Sequence, residues 1–435
     1  MAIYQNGALR GCACALALNL LITHGATARA ISPLQIPDPL PLNWCLDRAN
    51  AANPSLEATS AEADAARAGI GSAGRLEDPR FGYEVVNLPT GDFDLDSTPM
   101  SGHQLSLQQK LPVPGLLSGQ KAAAHATAEA AEAALEDHRA RIAASIERAW
   151  SSLAFAQRAL EITDQNLELL RQFREIAETK YRVGSGLQQD VLRAQVELTT
   201  LLGERLRREA LLKQSEAALA ALLDLPTGRE LPRTEDLDQQ SAIPELPDLL
   251  ARIDAASPLL REQRARIEAA EKRVRTTELE GYPDVDLRVG YRIRQDSGSD
   301  PVNGQDFLSA GFTLRLPVDR GKWTSKVAEE RARLRKTKAE YRASFAMLGD
   351  EIRVAHSQLV QADAEVELLV TGLLPQAHQS LESSRSGYQV ARIDFLSLLD
   401  SEIRVFEAEL RLVRARASRR ASFAQLEASL GEVLR

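Results

Sequence analysis

The residues best equipped for chemistry in this chain are few and far apart. Its three cysteines are Cys12, Cys14 and Cys45, and beyond residue 30 its histidines are His103, His125, His138, His356 and His378. No two of these share the close spacing of a zinc or copper site, and Met100 and Met347 add no soft-ligand cluster. There is no nucleophile elbow, no phosphate-binding glycine loop and no zinc-hydrolase helix. The expectation is a protein that is not an enzyme, with no cofactor and no metal site. What stands out instead is punctuation. In "KYRVGSGLQQDVLRAQ" (residues 180 to 195), Gly184, Ser185 and Gly186 interrupt a long run of strong helix formers, and "GYQVARIDFLSLLDSE" (residues 387 to 402) holds the corresponding place in the second half.

The formal charge of the chain is -8, which disfavours a nucleic-acid partner. Residues 1 to 30 read as a secretory signal peptide: Arg10 closes a polar start, "CACALALNLLI" is apolar, and Ala28-Arg29-Ala30 supplies small residues for cleavage after Ala30. The apolar run is shorter than the roughly 18 residues of a membrane span. The mature chain is then exported with Cys45 as its only thiol, so it forms no intramolecular disulfide. Bulky Asn43-Trp44 ahead of Cys45 argues against a lipid anchor. No later segment is apolar enough for a transmembrane helix, so entry into a membrane requires strands.

The chain repeats itself. "ANPSLEATSAEADAARAGI" from residue 52 resembles "ASPLLREQRARIEAAEKRV" from residue 256, "QKLPVPG" from 109 resembles "LRLPVDR" from 314, and "YRVG" from 181 resembles "YQVA" from 388. The three matches come in the same order at nearly constant separation. The expected organisation is a first repeat over 31–224, a proline-rich linker over 225–244 and a second repeat over 245–435. Each repeat has a leading helix (about 42–75 and 245–280), two strands, a very long helix, a tight turn and a shorter helix.

The strands are expected at about 79–88, 103–112, 284–294 and 307–317. In the third, Val285, Leu287, Val289, Tyr291 and Ile293 alternate with polar residues and glycine; in the fourth, Leu308, Ala310, Phe312, Leu314 and Leu316 do so. Alternation alone also suits a half-buried sheet on a soluble core. Strand length near 10 residues and the long polar connections favour tilted membrane strands. Four strands cannot close a barrel, so several chains must share one. The long runs from about Leu116 to Lys180 and from about Lys322 to Ser386, with Gly372 and Pro375 the clearest breakers, would each extend roughly 100 Å as helix. Gly184 and Gly186 then mark the tip of one antiparallel hairpin, and the "YQVARID" segment the tip of a second.

With these features the chain resembles the TolC-like outer-membrane factors, the exit ducts of bacterial tripartite efflux pumps and type I secretion systems. The resemblance covers nearly all of residues 40 to 433. It rests on the doubled order of elements, on "NPSL" at 53–56, and on the tips followed by Asp190-Val191-Leu192 and Leu398-Leu399-Asp400. It implies a mainly α fold with a membrane β-barrel: long helical hairpins forming a periplasmic tunnel, and four strands per chain in a homotrimeric, twelve-stranded barrel. It implies a periplasmic adaptor, or membrane fusion protein, as partner, docked on tips at Arg182, Val183, Gly184, Gly186 and Leu187 and at Val390, Ala391 and Arg392. Ala391 departs from the usual glycine. The resemblance also places the gate at Asp400 and Ser397, with Asp190 nearby. The region 83–115 is similar to the heavy-metal branch, which implies an inner-membrane pump of the RND type. A duct for drugs or for type I protein secretion is the alternative within the family. A soluble, exported coiled-coil interaction protein is the alternative outside it.

Overall fold

The computed structural model describes residues 35–434 apart from 92, 227, 238–241, 299–300, 302–303 and 391. The expected signal peptide and Ala391 lie outside the described residues. Apart from Gln35 and Ile36, the described chain falls in one compact unit that begins at Pro37.

Among the described residues each repeat opens with two helices, α1 (Leu42–Ala52) and α2 (Pro54–Ser72), then α5 (Leu246–Ala256) and α6 (Pro258–Glu280). The sequence suggested one helix in each place. The break comes from Asn-Pro and Ser-Pro: a residue before proline is pushed out of the helical region, and its side chain then caps the second helix of the pair. Asn53 lies at φ -69°, ψ 119° and accepts from the N–H groups of Ser55 (2.9 Å) and Leu56 (3.2 Å). Ser257, at ψ 120°, accepts from the N–H of Leu260 at 3.5 Å.

The strands β1 (Arg80–Val86), β2 (Gly102–Leu111), β3 (Asp284–Ile293) and β4 (Phe307–Arg315) form one antiparallel sheet in sequence order. Its central seam joins the two repeats. The register places Phe81 opposite Leu107, Leu107 opposite Val289, and Val289 opposite Ala310; Tyr83, Leu105, Tyr291 and Leu308 form the adjoining row. One face is therefore apolar. On the other face Arg315 pairs with Asp284 at 2.7 Å, Arg288 with Glu84 at 3.3 Å, and Arg292 donates to Gln104 at 2.9 Å. The apolar face is bare within the protomer: Phe81 is 70% and Leu308 73% exposed.

The first hairpin is α3 (Leu116–Arg182, 67 residues) with α4 (Gln188–Leu222). The second is α7 (Arg320–Leu368), a π-turn (Leu369–Leu373), α8 (Leu374–Gln389) and α9 (Phe395–Leu430). The hairpins meet chiefly along α3 and α9, through alanines such as Ala144, Ala424 and Ala428 and through a buried ion pair of Glu147 with Arg420 at 2.7 Å. Small side chains at this seam allow close helix approach, as the alanine-rich, aromatic-poor composition requires. The linker is strapped to α3: Leu40 bridges to Thr234, Trp150 donates its indole N–H to the Leu40 carbonyl (3.1 Å), and Gln157 binds Pro232 and Thr234. Cys45 is fully buried in α1, and burial pushes its thiol up to about 12, so it is a packed, unreactive group.

Candidate functional site at the hairpin tips

At the first tip α3 stops because its last carbonyls are satisfied by a tight reversal. The N–H groups of Ser185 and Gly186 both return to the Lys180 carbonyl, at 2.9 and 3.0 Å, around Gly184 at φ +75°. This is the left-handed helix terminus that glycine adopts without a Cβ penalty. Gly186 is required for space instead: a Cβ there would lie 2.9 Å from the Lys180 Cβ and 3.1 Å from the Tyr181 nitrogen. Leu187, in extended conformation, restarts the chain as α4. Arg182, Val183, Gly184 and Leu187 are exposed together here, Val183 at 72%.

The second tip turns without a described glycine at positive φ. The Arg392 N–H bonds to the Gly387 carbonyl at 2.9 Å, and Asp394 caps α9 by accepting from the Ser397 N–H at 2.8 Å. The Ser397 side chain and then its N–H hold the Asp394 carboxyl below the usual carboxylate range. Val390 and Arg392 are exposed. The tips are fastened side by side by Lys180, whose Nζ donates to the Tyr388 carbonyl at 2.8 Å and sits 3.7 Å from the Tyr388 ring centroid. Tyr388 packs edge-on against Phe395 within a core of Leu167, Leu170, Phe173, Leu398 and Leu399.

Of the three polar positions that the family resemblance singles out, Asp190 lies on α4, and Ser397 and Asp400 lie one turn apart on α9. Asp190 sits in the first turn of α4, where with burial it raises the Tyr388 phenol. Ser397 and Asp400 lie on the exposed face of α9. Asp400 is not a bare carboxylate: Arg404, one turn on, donates to its Oδ2 through Nε at 3.1 Å and Nη2 at 3.0 Å. Asp400 rims an open groove in which Leu192 and Val196 of α4 face Leu396 and Ile403 of α9.

Residues 45–224 and 249–432 match the outer membrane efflux protein family. The chain belongs to this family. The cobalt-zinc-cadmium resistance protein CzcC of Cupriavidus metallidurans is 24% identical over 390 residues, covering 89% of each chain. The outer-membrane channel OprN matches with a TM-score of 0.75 at 21% identity, covering 90% of each chain. The outer membrane protein VceC of Vibrio cholerae matches with a TM-score of 0.75 at 21% identity, covering 91% of this chain and 97% of its own.

As an outer membrane efflux protein the chain is a channel component and not an enzyme, and its place is the outer membrane. No described helix is long and apolar enough to cross a bilayer. The fold it shares with the solved channels assigns the four-stranded sheet to the barrel, and the apolar face of that sheet is the one that suits lipid.

Two tip features escaped the sequence reading. Arg404 could have been found, since an acid and a base four residues apart on a helix pair routinely. Glu402 could not. It is 4% exposed, and helical spacing separates it from Asp400 without saying which of the two faces is covered.

Proposed function

We propose that three copies of this chain form one closed duct through the outer membrane, passively passing cargo from an inner-membrane pump and its periplasmic adaptor, and that the cargo is divalent heavy metal. The observation that carries the assembly is the sheet: four strands, an apolar face, and β1 and β4 left as open edges. Open edges are not tolerated in lipid, and the smallest common barrel has eight strands. The helices support ring closure. α4 exposes Leu192, Val196 and Leu206, while α7 exposes Met347, Val354 and Leu368. Two different apolar stripes on one chain suit a head-to-tail contact that closes by rotation.

The exposed tips around Gly184 and Val390 are the adaptor surface in this reading, and Asp400 with Ser397 narrows the entrance. The metal cargo rests on likeness to the cobalt-zinc-cadmium resistance protein, and the RND-type pump on the resemblance of residues 83–115 to the heavy-metal branch. The described residues hold no cluster of three or more metal-binding side chains, and a duct need not bind what it conducts. Crosslinking and mass measurement in detergent are expected to give a trimer; a stable membrane-inserted monomer overturns the assembly. Deleting the gene is expected to raise cellular cobalt, zinc or cadmium under metal load. Unchanged metal with a raised drug content rejects the cargo and leaves the trimer standing.

A further inference from the structure

Glu402 lies two residues beyond Asp400 but on the covered side of α9, where the second hairpin packs on α3 near the tips. Its Oε1 accepts one hydrogen bond from the Asn166 side-chain amide of α3 at 2.9 Å, and its Oε2 is buried without a hydrogen-bond partner. The neighbourhood is built to exclude water. Leu398, Leu399 and Val405 flank it on α9, Thr163 and Leu167 lie buried on α3, and Ser401 is bonded to Ser384 of α8 at 2.9 Å.

The surrounding charges do not make an ion pair with it. From α8, Arg385 acts at a distance and lies 3.9 Å from Glu382, with its own side chain 54% exposed; His378 faces Glu409 at 3.8 Å. On α9 itself Glu409 repels it. The nearest donor on α3 is the neutral Asn166. Other cations nearby are engaged elsewhere: Arg208 of α4 lies over the Phe406 ring, and Arg411, on α9 itself, pairs with Glu365 of α7. A carboxylate held dry by one neutral donor is costly to ionise in place.

We propose that Glu402 is a proton-operated tie between the two hairpins: neutral, it lets α9 stay packed on α3, and ionised, it loosens that seam above the tips. As a control on opening it rests on the duct reading; as a statement about the folded chain it does not. Burial, then repulsion from Glu409, pushes its carboxyl up to about 7, with Asn166 and Arg385 opposing. If the seam opens, water returns the group to its ordinary 4.5. The packed seam therefore binds the proton more tightly than the opened one. Its advantage is full in acid, falls as pH rises from about 4.5, and levels off above about 7. At tenfold per unit, the packed-to-open ratio changes by roughly two orders of magnitude across that window.

Infrared titration of the detergent-solubilised protein tests the protonation directly. A protonated-carboxyl C=O band that fades near neutral pH is expected in the parent and absent in Glu402→Gln, whose near-isosteric amide preserves packing. Asn166→Ala, which removes the only donor, is expected to move the midpoint upward, a shift that a purely structural role would not produce. In planar bilayers, opening of the parent is expected to increase about 40-fold between pH 5 and 7, while Glu402→Gln stays at the low level throughout. A titrating band that survives in Glu402→Gln overturns the assignment. A band that vanishes in Glu402→Gln while its openings keep the parental pH slope overturns the tie and leaves the duct reading intact. A protein that does not conduct at any pH counts against the duct, and the infrared arm still decides the protonation.

Discussion

The two hairpins share one plan and differ in how they bend. α3 runs 67 residues without interruption to a tip turned by Gly184 and Gly186. Its counterpart in the second repeat breaks after Leu368, passes through the π-turn and resumes as α8, with Pro375 in its first turn. Proline within a helix lacks an N–H and collides with the carbonyl four residues back, here that of Thr371. Widening the turn by one residue relieves the collision and keeps Leu369 fully buried in the seam. The first hairpin is thus a stiff rod with its adaptability at the tip. The second carries a joint partway along, on the tip-ward side of which lie Asp400 and Glu402.

The sharpest way to break this comparison is to remove one residue from each rod. Deleting Arg158 from α3 turns every later residue by about 100° relative to the seam, and should abolish folding and membrane assembly. Deleting Thr371 converts the π-turn to an ordinary turn without changing which residues face α9 but returns Pro375 to collision with the carbonyl four residues back, so a folded, assembled protein is expected, destabilised by about 3 kcal/mol. Equal damage from both deletions shows that the π-turn is not a one-residue insertion in the packing.

A smaller effect is expected at the first tip. Nothing lies within 4 Å of a Cβ built at the exposed Gly184, so the expected folding cost of Gly184→Trp is the left-handed backbone cost of about 1–2 kcal/mol. On the proposed reading of the tip as the adaptor surface, outer-membrane insertion and trimer yield should stay near parental, while metal export falls to the level of the gene deletion. Failed insertion instead places Gly184 in folding.

How much of this was legible in the sequence depended on the kind of signal. Period-two alternation in residues 284–294 and 307–317 and the long runs poor in breakers revealed two-faced strands beside very long helices, because both signals are local and repeated many times, and the family resemblance then supplied the barrel. The splits at Asn53-Pro54 and Ser257-Pro258 were equally local and were masked by the helical periodicity on either side. Gly372 and Pro375 were visible as breakers, but whether a breaker ends a helix or widens it depends on the packing around Leu369, which sequence does not carry. Asp363 reads as an ordinary surface acid, yet it ties α7 to α9 through Arg419 at 2.6 Å, and the Arg419 side chain is only 16% exposed. The same limit applies to Glu402, whose burial is set by helices far away in sequence.

The smallest expected effect concerns the exposed pair at the entrance. Asp400 and Arg404 are 59% and 70% exposed, so their contribution to stability is about 0.5 kcal/mol or less. Their charges still face the groove, and three copies of each would set a local field. Asp400→Ala should shift single-channel reversal potentials toward anion preference and weaken block by polyvalent cations; Arg404→Ala should do the reverse, with unfolding unchanged for both. If both variants select ions as the parent does, this face of α9 does not line the constriction.

The sheet seam carries a consequence for the order in which the molecule is made. Strand β2 finds its neighbour β3 only after the whole first hairpin and the linker have been synthesised, since partners such as His103 and Ile293 lie on opposite sides of both. The β1–β2 ribbon must therefore wait with one apolar face and two open edges while the rest of the chain emerges, the kind of non-local pairing that folds slowly and invites aggregation. The helices can form locally in that interval. In a chain of this design the rods of the first repeat can form while its strands are still unpaired, and closure of the β2–β3 seam is what joins the two repeats into one sheet.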